Sequence, residues 1–377
     1  MEKKRPSDSR PVIGISHGDI NGINYEIILK SLNDNRMNEM FNCIVYGLSK
    51  AVSYYQKALD IPGISFNKIK RTNQTQLMKL NILDITNEEV KFETGKSTQQ
   101  AGKLAYMALE RSVSDLSKKY IDALVTAPID KNNIQSEDFK YAGHTDYLAD
   151  MFHTKDYLML LVSGSLRIGV VTGHIPLQDV SASITQELIQ SKLKVLHNSL
   201  IYDFGIRNPK IAVLGLNPHA SDDGVIGNEE EKVIIPAIEK AQEKKMLVYG
   251  PYPADGLFAS SNYQKFDAIL AMYHDQGLIP FKTLAFKDGV NFTAGLPVVR
   301  TSPAHGTALD IAGKNIASED SMRQAIYLAA DIVRNRKEHK EYNRNPLRTK
   351  YHIDNNKDED ISTLGEENDE GAEGLSI

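Results

Sequence analysis

Short apolar runs alternate with amphipathic stretches along most of this chain, and that alternation limits the folds open to it. PVIGIS, CIVYG, IDALVTAP, YLMLLVS, RIGVVT, KIAVLGL and DAILAMY each read as a strand buried on both faces. Between them lie helical stretches at residues 25–32, in SKAVSYYQKALD, and at 98–118, 186–200, 229–243 and 322–336. The clearest is 98–118, where Ala101, Leu104, Ala105, Ala108, Leu109, Val113 and Leu116 recur at helical spacing. Strands alternating with helices predict an α/β architecture with a largely parallel sheet. At 377 residues the chain exceeds one ordinary core, so two domains are expected.

Three of the apolar runs end in the same way. His174 follows RIGVVTG, His219 follows KIAVLGLNP and His274 follows DAILAMY. Ligands of α/β proteins gather beyond the C-terminal ends of strands. A neutral imidazole is the commonest metal-ligating side chain, and three of them leave a fourth position open for substrate. Any one of these histidines alone reads as a cap on its strand; three repeats of the pattern point to a catalytic metal.

Composition narrows the class. Charged residues make up 25% and hydrophobic ones 41%, the profile of a soluble globular protein. A formal net charge of −5 gives no reason to expect nucleic acid or an anionic membrane as partner. No apolar run reaches membrane-spanning length, and MEKKRPSDSR has no apolar stretch behind it as a secretory signal would. The single cysteine, Cys43, excludes a Cys-rich zinc site and reads as a small buried hydrophobe. These features predict a cytoplasmic protein. Beyond residue 355 the chain is acidic and poor in apolar residues, so 355–377 is expected to be a disordered tail.

Three further segments carry chemistry. In VTAPIDKNNIQSEDFKYAGHTDYLA, glycine allows close backbone approach, and His144 and Thr145 supply donors for an oxyanion; Thr145 as a helix cap explains the tripeptide nearly as well. Lys282, Asn291 and Arg300 are spaced by nine residues twice and suit a carboxylate or phosphate. TSPAHGTALDIAGKNIAS, residues 301–318, has too many small residues for a core strand and suits a loop around a flat polar ligand. No G-x-G-x-x-G fingerprint follows the opening strand, which argues against an ordinary Rossmann cofactor site.

Taken in order, GHTDYLA, VVTGHIPLQDV, LGLNPHA, PADGLF, YHDQGL and GVNFTAGLPVVRTSPAHGTALDIAG resemble the 4-hydroxythreonine-4-phosphate dehydrogenase (PdxA) family of vitamin B6 biosynthesis. The resemblance runs from about Pro11 to Arg336. It implies an isocitrate/isopropylmalate dehydrogenase-like fold of two α/β/α domains with the active site in the cleft between them. After an arm and first strand within 1–16, residues 11–135 with 285–340 would form the first domain, and 136–284 the second. It implies His174, His219 and His274 as divalent-metal ligands (zinc ahead of magnesium or cobalt). His144, Thr145, Lys282, Asn291 and Arg300 would contact substrate. The HGTALDIAGKN stretch is similar to the adenine-side loop of isopropylmalate dehydrogenases, so His305, Gly306, Thr307 and Asp310 would bind NAD or NADP. The family is homodimeric, and the resemblance implies a shared site in which the YHDQG histidine reaches across to its partner's other two.

The implied reaction is metal-dependent oxidation of 4-phosphooxy-L-threonine by NAD(P). Its β-keto acid product decarboxylates to 3-amino-2-oxopropyl phosphate on the route to pyridoxal 5'-phosphate. Asp255 is the candidate base, and reads equally as a turn or capping aspartate. The alternatives are a dehydrogenase of a phosphorylated four-carbon sugar acid (4-phosphothreonate or erythronate) and a metal-dependent hydrolase or lyase, which would not need the HGTALDIAGKN loop. A non-catalytic ligand-binding protein would not need the three histidines. The chain departs from the family in two places. Asn24 and Tyr25 replace a Gly-Pro pair in GDINGINYE, and SDDGVIGNEE stands in place of a Gly-rich stretch, adding Asp222 and Asp223 near the metal position.

Overall fold

The computed structural model describes residues 10–344 apart from Asn35 and Pro62. The expected arm at the N-terminus and the expected acidic tail therefore lie largely or wholly outside the described residues. The described residues contain twelve strands: β1 Val12–Ser16, β2 Asn42–Gly47, β3 Phe66–Ile69, β4 Leu80–Asp84, β5 Ala123–Thr126, β6 Leu158–Ser163, β7 Leu166–Val170, β8 Lys210–Leu214, β9 Leu247–Tyr252, β10 Ala268–Ala271, β11 Val290–Ala294 and β12 Val299–Pro303. They form one sheet in the order β3-β4-β2-β1-β5-β12-β11-β6-β7-β10-β8-β9. Most neighbours are parallel; β11 pairs antiparallel with both β12 and β6, and β6 antiparallel with β7. β1–β5 with β11 and β12 occupy one half of this order, and β6–β10 the other. The described residues up to His339 pack as one unit. This is the expected α/β fold with its largely parallel sheet.

The strands form where the apolar runs predict them. β1, β2 and β5 are buried almost throughout, because helices cover both faces of the sheet. The 98–118 pattern becomes helix Gln99–Ser117, capped by the Thr98 hydroxyl accepting from the Ala101 N–H, with all seven of its predicted apolar positions buried. Residues 186–200 become helix Gln186–Tyr202, capped in the same manner by Thr185. The stretch 229–243 is less regular: a π-turn at Glu230–Ile234 leads into helix Ile235–Glu243. Pro236 lacks an N–H and its ring crowds the carbonyl four residues earlier, and the widened turn accommodates both. Cys43 is buried, and burial pushes its thiol up to about 12.

One element has no counterpart among the predicted helices and one sequence expectation needs correction. DQGLIPFK lies in helix His274–Leu284, which carries Pro280 inside it. Residues 301–303 are not loop but the end of β12 and are buried. Their hydroxyls are placed rather than wasted: Thr301 Oγ1 donates to the Ala325 carbonyl at 2.7 Å, and Ser302 faces the cavity described below.

The altered opening turn is built into the fold. Asn24 Nδ2 donates to the carbonyls of Asp19 (2.9 Å) and Pro128 (2.7 Å). The Tyr25 hydroxyl accepts from the Leu48 N–H at 2.8 Å, and its ring stacks on Tyr55 at 5.5 Å. Gly18 takes φ +64°, and a Cβ there would meet the Pro128 carbonyl at 2.2 Å, so the turn depends on glycine at that point.

Candidate active site

The cavity of interest, about 670 Å³, opens where the antiparallel β11–β6 pair interrupts the parallel strands. Ligand sites of open α/β sheets collect at such changes of strand order, beyond the strand ends. Both halves of the sheet line it: Thr126, Asn291 and Arg300 come from one, His174, His274 and Lys282 from the segments after β7 and β10 of the other, and His144 from the helix between β5 and β6.

Arg300 forms its floor. It is 3% exposed and its guanidinium bonds only to uncharged groups. Nε and Nη2 donate to Thr126 Oγ1 at 3.0 and 2.7 Å, and Nη1 to the hydroxyls of Thr293 (3.3 Å) and Thr145 (3.4 Å). Burial holds its pKa down to about 10. A buried guanidinium without a carboxylate is costly unless a ligand anion completes it.

Arg300 Nη2 also lies 3.4 Å from His144 Nδ1. A guanidinium only donates, so Nδ1 is the acceptor and Nε2 carries the proton. Nε2 is buried with no partner, and burial, Arg300 and Lys131 together hold this imidazole neutral. His144 starts helix His144–Met151, so its free donor and the first N–H groups of that helix share one site. Asn291 Oδ1 is a second buried polar atom without a partner. Lys282 lines the cavity from helix His274–Leu284. The five residues expected to contact substrate therefore meet in one cavity.

The three histidines do not all meet. β7, β10 and β8 are adjacent parallel strands, so His174, His274 and His219 leave the same edge of the sheet. His174 and His274 of one chain stand 5.3 Å apart between ring centroids, and both line the cavity. His274 Nδ1 is 2.7 Å from Asp275 Oδ1; donating there leaves Nε2 as a free lone pair, the usual arrangement of a ligating histidine. Burial first, and then the nearby Lys131, lower the pKa of His174. His219 is exposed in a loop where His219, Ala220, Ser221, Asp222 and Asp223 all take positive φ, and it is not among the lining residues. Among the described residues no three His, Cys, Asp or Glu side chains gather closely enough to hold a metal ion.

The expected cofactor loop is divided. His305 and Gly306 line the cavity. His305 Nδ1 is 2.9 Å from the Gly306 carbonyl and must donate to it, which leaves Nε2 a buried acceptor without a partner. Space is open where a Gly306 Cβ would lie. Thr307 instead backs the opening turn, its carbonyl accepting from the Ile23 N–H at 3.0 Å, and Asp310 is exposed. Asp255 is exposed in the first turn of helix Ala254–Ala259 and does not line this cavity. The N-cap of that helix is Pro253, and Asp255 stands one residue inside the helix.

Sequence reasoning did not single out Lys131, Asp146, Tyr157, Lys192 or Ser302, which also line the cavity. Lys192 Nζ donates to the Tyr157 carbonyl at 2.5 Å and lies over its ring. Asp146 was legible only as the residue after Gly-His-Thr in GHTDYLA.

Known proteins resemble this chain over most of its length. The family described as "Pyridoxal phosphate biosynthetic protein PdxA" matches residues 39–329. The chain belongs to this family. It is 51% identical over 341 residues, 90% of this chain and 93% of its relative, to a protein of Bacteroides thetaiotaomicron named 4-hydroxythreonine-4-phosphate dehydrogenase. It is 39% identical, over 86% of its length and 98% of the relative, to an Oceanobacillus iheyensis protein named "Putative D-threonate 4-phosphate dehydrogenase". The crystal structure of 4-hydroxythreonine-4-phosphate dehydrogenase from Klebsiella pneumoniae superposes with a TM-score of 0.74 at 33% identity, covering 86% of this chain and 99% of that one.

Proposed function

We propose that this member of the PdxA family is a dehydrogenase that oxidises the secondary alcohol of 4-phosphooxy-L-threonine with NAD or NADP, in pyridoxal 5'-phosphate biosynthesis. The observation that carries the reading is Arg300, a buried cation with no carboxylate, beside the free His144 Nε2–H in a cavity open to a ligand. Phosphate supplies the missing anion there. Arg300, His144, Thr145 and the helix N-terminus grip it, while Lys282 and Asn291 hold the rest of the substrate. This clamp fixes the carbinol carbon relative to the neighbouring imidazoles, and such positioning lowers the barrier by removing orientational freedom beforehand.

His305 Nε2 and the open space at Gly306 suit a nicotinamide cofactor, which when bound accepts the hydride. The His174–His274 pair, with Asp275 behind one ring, suits a divalent ion with a preference for nitrogen ligands (zinc first), which supplies positive charge beside the reacting oxygen. One chain holds only two of the three donors. We therefore place the pair in one subunit and take the third ligand as His219 of a second copy, in place of the division in which His274 crosses. Leu177, Val225, Ile279 and Phe286, which follow the three histidines in the chain, are exposed apolar side chains that suit burial against a partner. Asp255 acts as base in this scheme only from a second copy. The two halves of the sheet serve as the two lobes about the cleft.

The second reading, oxidation of a phosphorylated sugar acid, is favoured by the name of the Oceanobacillus relative and needs the same phosphate grip. The test is cofactor reduction by the purified, zinc-supplemented protein with each phosphorylated substrate and each cofactor. Reduction with 4-phosphooxy-L-threonine, suppressed by a chelator, is expected. No reduction with either substrate overturns the dehydrogenase reading.

A further inference from the structure

The cavity that grips phosphate is lined by four cationic side chains, Lys131, Lys192, Lys282 and Arg300, but by only one carboxylate among the described residues, Asp146. A phosphate and a carboxylate account for the cations. They give the single anion nothing to do, and a substrate ammonium group would. We propose that Asp146 is the specificity-determining residue that recognises the substrate amine, and so selects a phosphorylated amino acid over the matching sugar acid. This inference rests on the dehydrogenase reading above and deepens it.

The geometry supports the assignment. Asp146 follows His144 and Thr145 in the first turn of helix His144–Met151, so its main chain is fixed by the elements that fix the phosphate grip. Its Oδ1 accepts from the Tyr157 hydroxyl at 3.1 Å, which orients the carboxyl group. Oδ2 accepts no hydrogen bond, and the group forms no ion pair, among the described residues. Lys192, in the same wall, is held by the Tyr157 carbonyl and ring. Asp146 lines the same cavity wall as His174 and His274 do, together with Lys131 and Lys192. In 4-phosphooxy-threonine the amine sits on the carbon next to the carbinol, and the histidine end is where that carbon must lie.

A competing role is local. A carboxylate in the first turn stabilises a helix through its dipole whatever the ligand. The two roles separate in the ratio of kcat/KM for 4-phosphooxy-L-threonine to kcat/KM for D-threonate 4-phosphate. If Asp146 binds the ammonium group, Asp146→Asn and Asp146→Ser lower this ratio by about 10- to 100-fold, mostly through KM, and Asp146→Glu restores much of it. Two uncharged variants, each checked by circular dichroism, guard against the failure of one to fold. An unchanged ratio in folded, active variants overturns the inference while leaving the dehydrogenase reading intact. A wild-type enzyme inactive on both substrates overturns that reading and this inference with it.

Discussion

A buried guanidinium explains more of this site than any other side chain. Arg300 satisfies its N–H groups with threonine hydroxyls and one imidazole, none of which can neutralise it. Replacing a buried charge by an apolar side chain of similar length is often neutral or stabilising, whereas losing a charge-assisted grip on a ligand costs several kcal/mol. Arg300→Met should therefore melt within a few degrees of the wild type, yet lose about 100-fold or more in kcat/KM. Inorganic phosphate should raise the melting temperature of the wild type and leave that of Arg300→Met unmoved. A variant still stabilised by phosphate would place the anion elsewhere. At this scale the sequence was informative about residue type and spacing, and silent on environment. Lys282, Asn291 and Arg300 were visible in a Gly-containing apolar stretch, but only the fold shows that Arg300 alone is sealed from water. Lys131, Lys192 and Asp146 gave no such sign, because lone charged residues usually belong to solvated faces.

At the scale of elements, strands and helices with a clean period were readable, and those with mixed signals were not. Helix Gln99–Ser117 was plain, whereas helix His274–Leu284 was hidden by Gly277 and Pro280, and the end of β12 by its small residues. The loop at 128–134, which carries Lys131 into the cavity, is pinned from three sides. Asp19 N–H and Asn24 Nδ2 both donate to the Pro128 carbonyl, Asn133 Nδ2 donates to Asp19 Oδ2 at 2.7 Å, and helix Gln99–Ser117 presses on it at Gly102. Alanine in a helix is ordinarily better than glycine by about 1 kcal/mol. Here a Cβ on Gly102 would sit 1.9 Å from the Asn133 carbonyl oxygen, which is backbone and cannot swing aside. Gly102→Ala should thus destabilise the protein by about 2 kcal/mol in urea titration and raise KM by displacing Lys131. A stabilised Gly102→Ala protein would mean that this loop is free to move.

At the scale of the molecule, one sheet brings residues as far apart in sequence as Thr126 and Gly306 to one cavity, and the same sheet edge carries the three histidines. The strand-end pattern made the histidines legible, but which of them share a chain is a three-dimensional fact beyond the reach of spacing. His174 and His274 face each other within one chain, and His219 stands apart in a left-handed loop. Leu177, Val225, Ile279 and Phe286, which follow the histidines in the chain, are exposed apolar side chains that suit burial against a second copy. The central claim is that two chains complete one site, with the pair from one and His219 from the other. Subunit mixing tests it most directly. His219→Ala mixed with His274→Ala should recover about one quarter of wild-type activity, since half the dimers are mixed and each holds one intact site. His174→Ala mixed with His274→Ala should recover nothing, because both lesions fall in the same pair. Recovery in the second mixture, with subunit exchange confirmed, would contradict the account; recovery in both mixtures would show that His274 is the ligand that crosses.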